Sequence, residues 1–325
     1  MHSRALLLGA CLLCPVTAMA DGVASFKLSN DFFSARDSDG HYTNGAEFSW
    51  AFTPGDNHWT RRLADGLPGW SPQSVDAVAY RFGQQIYTPE DIEESALIED
   101  DRPWAGYLYA GLSLYGNDLS PEWRINDALS LDVGMVGPAS GGELVQENFH
   151  HLIGSREPEG WHNQLNNEPT ATLAWQRSWW YRDRLGGLAL EYGPNTGLAL
   201  GNLHDHVSLG AAVRLGPRLD NQFATPGIAP NTSGNPLFSR DGGFNWSLLA
   251  QFQGRFVARN LFLDGNTFES SHSVDRRQWV GDLQLGGNIN RDRFSLRLVT
   301  VTRTRQFEQQ DGNDYFGTLI FSSWL

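Results

Sequence analysis

Phe244-Asn245-Trp246-Ser247-Leu248-Leu249-Ala250-Gln251-Phe252-Gln253-Gly254-Arg255-Phe256 is the stretch on which the fold turns. Phe244, Trp246, Leu248, Ala250, Phe252, Gly254 and Phe256 fall on one side, and Asn245, Ser247, Gln251, Gln253 and Arg255 on the other. A period of two with one apolar face is a β-strand lying between a greasy medium and a polar one. Val207 to Leu215 alternates in the same way, and so do Trp279, Gly281, Leu283, Leu285 and Ile289 against Asp282, Gln284 and Asn288. A soluble sandwich would also alternate. These segments, however, run about ten residues or more, the length a tilted strand needs to cross a bilayer. Their second face is rich in Gln, Asn, Arg and Gly, the composition of a hydrated barrel interior. Beyond the first residues, no apolar run is long enough for a transmembrane helix.

Working outward from this stretch, the alternation predicts strands at 23–33, 41–53, 77–88, 104–116, 125–137, 170–182, 186–200, 204–216, 243–259, 274–290, 292–306 and 313–325. The fold class is therefore all-β: a transmembrane antiparallel β-barrel of about twelve strands, with both ends on the periplasmic side. Trp50, Trp104, Tyr107, Trp179, Trp180, Tyr181 and Trp324 gather near strand ends, where aromatic girdles are expected. Outward loops fall near 34–40, 89–103, 138–169, 201–203, 260–273 and 307–312. The third and longest carries a helix. Ser140-Gly141-Gly142-Glu143 has the spacing of a capping box, Val145, Phe149, Leu152 and Ile153 recur at helical spacing, and Gly154 is a natural stop. A helix over the barrel mouth is more than a connector needs and suggests an active-site wall or a plug.

Residues 1–20 read as a cleaved signal peptide: Arg4, an apolar run from Ala5 to Leu13, and Ala18-Met19-Ala20 before Asp21. Residues 21–325 then form the barrel domain, in the outer membrane among its lipids. Both cysteines, Cys11 and Cys14, lie in the leader, which leaves no thiolate zinc site or thiol nucleophile in the rest. The net charge is −13 and Lys27 is the only lysine, so nucleic acid is excluded as a partner. No G-x-S-x-G elbow, H-E-x-x-H or phosphate-binding glycine loop occurs.

The polar residues that could carry chemistry sit where strands meet outward loops. Asn30-Asp31 ends the first predicted strand and Thr43 opens the second, which makes Asp31 and Thr43 hairpin neighbours. Thr43 shares its parity with Glu47 and Ser49, towards the lumen. Ordinary turn chemistry would use the same residue types. His150 and His151 on the loop helix are candidate bases, because imidazole titrates near neutrality. Glu143 and Glu147 share a helical stripe with His150. His204 and His206 have the spacing of a metal pair without a third ligand in view, and the acidic run from Glu90 to Asp101 reads as a solvated loop.

Leu28-Ser29-Asn30-Asp31, Tyr42-Thr43-Asn44-Gly45, Gln85-Ile86-Tyr87-Thr88-Pro89, Asp101-Arg102-Pro103-Trp104-Ala105-Gly106 and Gly137-Pro138-Ala139-Ser140-Gly141-Gly142 together resemble the outer-membrane lipid A 3′-O-deacylase family. Val145-Gln146, His150, Ile153-Gly154 and Trp161 extend the resemblance, which runs from Asn30 through the final strand. It implies a twelve-stranded barrel that hydrolyses the ester holding the 3′-acyloxyacyl chain of lipid A, using calcium, at a site between barrel wall and loop helix. The substrate partner would be lipid A or whole lipopolysaccharide in the outer leaflet. By position, His150 matches the family's catalytic histidine, Asn30 and Asp31 its site pair and candidate calcium ligands, and Thr43 its site threonine. The family's helix carboxylate, six residues past the histidine, falls on Arg156, with Glu157 next to it as the candidate replacement. Other classes that a barrel of this kind admits are a phospholipase-type enzyme and a non-catalytic porin or adhesin.

Overall fold

The computed structural model describes residues 21–30, 42, 44–67, 75–219, 236–240 and 243–325; the expected leader lies outside them. Its elements in chain order are β1 (Gly22–Asn30), β2 (Asn44–Phe52), α1 (Trp59–Asp65), β3 (Ala77–Tyr87), β4 (Ala105–Leu119), β5 (Trp123–Val136), α2 (Gly142–Ile153), β6 (Glu168–Leu185), β7 (Leu188–Gly201), β8 (His204–Gly216), β9 (Phe244–Asn260), α3 (Leu261–Asp264), β10 (Trp279–Arg291), β11 (Phe294–Arg303) and β12 (Asp314–Trp324). Each strand pairs antiparallel with its neighbours, and β1 pairs with β12, which closes a twelve-stranded barrel. The barrel sits in the outer membrane as a multi-pass protein, since closure satisfies every strand edge in lipid.

Alternation fixes which side is which. On β9, Phe244, Leu248 and Phe252 are 62%, 55% and 60% exposed, whereas Asn245, Ser247, Gln251, Gln253 and Arg255 are buried. Hydrophobic side chains thus point outwards to lipid and polar ones inwards, the reverse of a soluble core. The lumen is filled by paired charges. Arg81 bridges Glu47 (3.2 Å) and Asp132, and Tyr109 Oη donates to Glu47 at 2.7 Å. Asp127 holds Arg177 at 2.7 Å, and Glu191 gathers Arg124, Arg182 and Arg214. Burying such charges costs several kcal/mol per ion unless each is paired, and here the pairs form strand-to-strand struts.

Short turns at 120–122, 186–187 and 292–293 mark the periplasmic end. There Leu237 and Phe238 pack with Val23, Ala51, Ala77 and Tyr115, while Trp324 Nε1 donates to Phe238 O at 2.9 Å. At the opposite end the Glu168 carboxylate accepts from Thr267 N (2.7 Å), Asn266 Nδ2 (3.1 Å) and Asn202 Nδ2 (3.1 Å), a clasp between three outward loops.

Two sequence expectations are corrected. Trp50, Trp104, Tyr107 and Trp180 are buried and do not form a girdle. Trp180 donates inwards to Asn126 Oδ1 at 3.0 Å beneath the Arg214 guanidinium, and Trp104 packs on Trp161. Trp180 finds its partners in the lumen and Trp104 finds its partner beside α2, and the exposed interfacial rings are instead Tyr80, Trp123, Tyr192 and Trp279. The capping box also fails. Gly141, left-handed at φ 70°, caps α2 without a side-chain bond, while Ser140 Oγ donates to Gly137 O at 2.6 Å.

Candidate functional site

The register brings four residues into one row across the outer wall. Asn30 stands opposite Asn44, Asn44 opposite Ile86, and Ile86 opposite Gly106. All take outward parity, since Phe26 on β1 and Phe48 on β2, each an even number of residues away, are exposed to lipid. At roughly 4.8 Å per strand the row runs about 14 Å from Asn30 to the root of α2. Glu47 and Ser49 are buried in the lumen, as their parity predicts, while Asp31 and Thr43 lie outside the described residues.

Glycine permits α2 to sit against this wall. A Cβ on Gly106 would come within 2.1 Å of Ser140 Oγ and 3.0 Å of Gly142 Cα, and one on Gly142 within 2.9 Å of Gly106 Cα. Gln84 Nε2 pins the turn before the helix by donating to Ser140 O at 2.7 Å. From the far side Trp161 Nε1 donates to Gln146 Oε1 at 2.8 Å, and Trp104 packs at a tilt against Trp161 with ring centroids 5.1 Å apart. Gln146 is buried, and its Nε2 has no hydrogen-bond partner among the described residues. The apolar stripe turns the other way: Val145, Phe149 and Leu152 are 41%, 43% and 81% exposed. For a helix beside a barrel in lipid, the apolar face is the solvent face.

His150, half-buried, sits one turn beyond Gln146. Gly154 ends α2 in the left-handed region at φ 67°, and its N–H and that of Ser155 both donate to His150 O. This reversal returns the chain to the histidine. Nδ1 of His150 lies 2.5 Å from Arg156 O. A carbonyl can only accept, so Nδ1 carries a proton at this contact, and in the neutral ring the lone pair is on Nε2. The group on Nδ1 is therefore a main-chain carbonyl. Glu157 is exposed, as are Glu143, Glu147 and His151, and Glu143 receives Gln164 Nε2 at 3.4 Å. The Arg156 side chain reaches outwards to Glu93 at 3.6 Å.

Elsewhere, His204 and His206 line a cavity inside the barrel, away from α2. No group of three or more His, Cys, Asp or Glu able to hold a metal occurs among the described residues. Asn30 offers an amide oxygen; Asp31, the expected carboxylate partner, lies outside the described residues. An amide oxygen is a ligand type that a hard cation such as calcium accepts.

A closed lipid-facing barrel with a histidine-bearing helix docked on its outer wall has the architecture of an outer-membrane protein. Residues 6–324 match the family described as Outer membrane protein LpxR, and the chain belongs to that family. Among solved structures it is similar to LpxR from Salmonella typhimurium, at 20% identity and a TM-score of 0.78, covering 93% of this chain and 100% of that one. The β domain of the Bordetella autotransporter BrkA follows at 9% identity and a TM-score of 0.48, covering 94% of this chain and 99% of that one. No curated protein sequence matches the chain. The sequence signals for the site were the glycines at 106 and 142 and the row of polar strand ends. Asn44 beside Asn30 was legible only once the register was known, and the Arg156 carbonyl carries no side-chain signature.

Proposed function

We propose that the protein is a calcium-dependent lipid A 3′-O-deacylase that hydrolyses the ester of the 3′-acyloxyacyl chain from the outer leaflet. The observation that carries this reading is the His150 imidazole, held on a helix at the lipid-facing wall with Nδ1 on Arg156 O and Nε2 left as a base. The ion-paired lumen supports a site on the outside, because Arg81, Glu47 and Asp132 spend their charge on one another.

In this mechanism Nε2 of His150 takes a proton from water as the water oxygen attacks the acyl carbonyl carbon. The bond from that carbon to the 3′ oxygen then breaks. The proton on Nε2 passes to the departing oxygen, which gives a free fatty acid and a 3′-hydroxyl. Arg156 O stabilises the imidazolium formed in between, the part that a carboxylate plays in a triad. Gln146 Nε2, buried and without a hydrogen-bond partner among the described residues, donates to the carbonyl oxygen as it gains charge. Asp31 with Asn30 would hold the cation, whose positive charge would stabilise the same oxygen, and Asn30 and Thr43 would orient substrate or ion by hydrogen bonding.

The test is mass spectrometry of lipid A and phospholipids from cells expressing the protein, with and without chelator. Lipid A should lose the mass of one acyloxyacyl chain, phospholipids should be unchanged, and purified protein should stop working in excess chelator. Lysophospholipid accumulation with intact lipid A would give the reading to a phospholipase. Unchanged lipids of both kinds would leave a non-catalytic barrel.

A further inference from the structure

Inside the barrel, just beneath the outward loops, lies a cavity of about 40 Å³. Tyr87, α3 and the loop before β10 roof it, and Phe262 stacks on Tyr87 with centroids 4.1 Å apart. The space admits a few waters or one tetrahedral ion and excludes a sugar.

Its wall carries more donors than acceptors, although the Asp132 carboxylate and the Asn260 and Gln306 amides also line it. Five guanidiniums line it, those of Arg102, Arg255, Arg276, Arg277 and Arg303. Asp282 is shared between Arg255 (2.8 Å) and Arg303 (2.8 Å), Asp264 takes Arg276 (2.9 Å), and Glu308 takes Arg277 (2.7 Å). Arg102 is 1% exposed, and its guanidinium lies over the Tyr87 ring at 4.7 Å. Among the described residues, Nε and Nη1 of Arg102, Nε of Arg255, Nε2 of His204 and Oγ1 of Thr172 have no hydrogen-bond partner. Burial holds the Arg102 guanidinium below its usual range. An uncompensated buried guanidinium is expensive, and so is each orphaned donor.

We infer that this lumen cavity is a binding site for one small tetrahedral oxyanion of the phosphate or sulfate class, held by Arg102 and Arg255 with His204 and Thr172 completing its shell. An oxyanion accepts from all of these donors at once and supplies the negative charge that Asp282 divides between two arginines. Its structural effect is to tie the loop bearing Arg102, which leads through Trp104 to Trp161 and α2, to β9 across the lumen. The ion is free and not part of a lipid headgroup, because the cavity has no room for the attached sugar. It is captured as the barrel closes.

The experiment refolds the full barrel in detergent with radiolabelled inorganic phosphate, then measures retained and exchangeable label by equilibrium dialysis at fixed ionic strength. One phosphate per barrel is expected, displaced by sulfate and not by lipid A micelles. Arg255→Met and Arg102→Met should each weaken binding by about tenfold or more, the loss of one charge-assisted fork. Exposed Arg293→Gln on a periplasmic turn should leave it unchanged. If Arg102→Met does not fold, Arg255→Lys keeps the charge, removes the fork and should still weaken binding about tenfold. Absence of saturable binding, or equal binding by wild type and the Arg255 variants, would mean that the cavity holds water only. Displacement by lipid A would overturn the enclosed-ion assignment. The readout is binding alone, so it stands or falls separately from deacylation.

Discussion

The two faces of the wall formed by β2 to β5 carry opposite chemistry. On the inside, Arg81, Glu47, Asp132 and Tyr109 are buried and bonded to one another across four strands. On the outside, α2 rests on glycine contacts and presents one half-buried histidine with a single main-chain bond. The inner face has more charge and more bonds, yet its groups have nothing left to offer a substrate. The outer face has few bonds, and one nitrogen is left over. A saturated polar network serves as scaffold, and an unsaturated group beside it is where chemistry can happen.

The sharpest way to break this comparison is at His150. His150→Ala should lower the deacylation rate by roughly a thousandfold, within the range of a lost general base, with the heat-modifiable gel shift of the folded barrel unchanged. His151→Ala, at an exposed position, should stay within about twofold of wild type. Activity that survives in the first variant and vanishes in the second would move the site off this stripe.

The inner face should answer the other way. Arg81→Leu leaves Glu47 and Asp132 buried without their shared partner and should cost roughly 3–5 kcal/mol in a urea refolding titration. The rate per folded molecule should not change. A variant of normal stability and low rate would show that the lumen network reaches the chemistry.

Gly106→Val tests the joint between the faces. Its Cβ would strike Ser140 Oγ and the start of α2. Shifting the helix by about 1 Å should cost on the order of a hundredfold in rate, since misplacement from a distant contact has that scale. The β4 pairing on both sides should persist, seen as unaltered gel mobility.

How far the sequence spoke follows the same division. β8 begins and ends where alternation places it, at 204 and 216, because each outward residue meets lipid and each inward one meets polar atoms. β1 is described as far as Asn30 and β2 from Asn44, and the strand residues expected at 31–33, 41 and 43 lie outside the described residues. The aromatic girdle was misread because Trp180 turns into the lumen and Trp104 packs on Trp161 beside α2, and sequence position does not say which partner a strand-end ring takes. At the site, His150 and Asn30 were visible as side chains at strand and helix ends. The group on Nδ1 was not, because a carbonyl contact depends on the left-handed turn at Gly154, and any residue at 156 supplies the same oxygen.

That last point sets the finest test, between Glu157 as a carboxylate support and the Arg156 carbonyl. Gly154→Ala puts a Cβ on a residue at φ 67°, a conformation that costs an L side chain roughly 1 kcal/mol. Nothing lies within 4 Å of that Cβ, so the penalty is conformational and not steric crowding by neighbours. The turn should relax, Arg156 O should leave Nδ1, and kcat should fall about tenfold while the barrel stays folded. Arg156→Ala keeps the carbonyl and removes the exposed link to Glu93, so kcat should change by less than about twofold. Glu157→Gln should likewise be mild on the carbonyl reading, whereas a supporting carboxylate would make it cost roughly ten- to a thousandfold. A damaged Glu157→Gln enzyme beside a normal Gly154→Ala enzyme would hand the role to the carboxylate. The reverse pattern shows that a chain lacking the acid at 156 keeps its base oriented through the backbone.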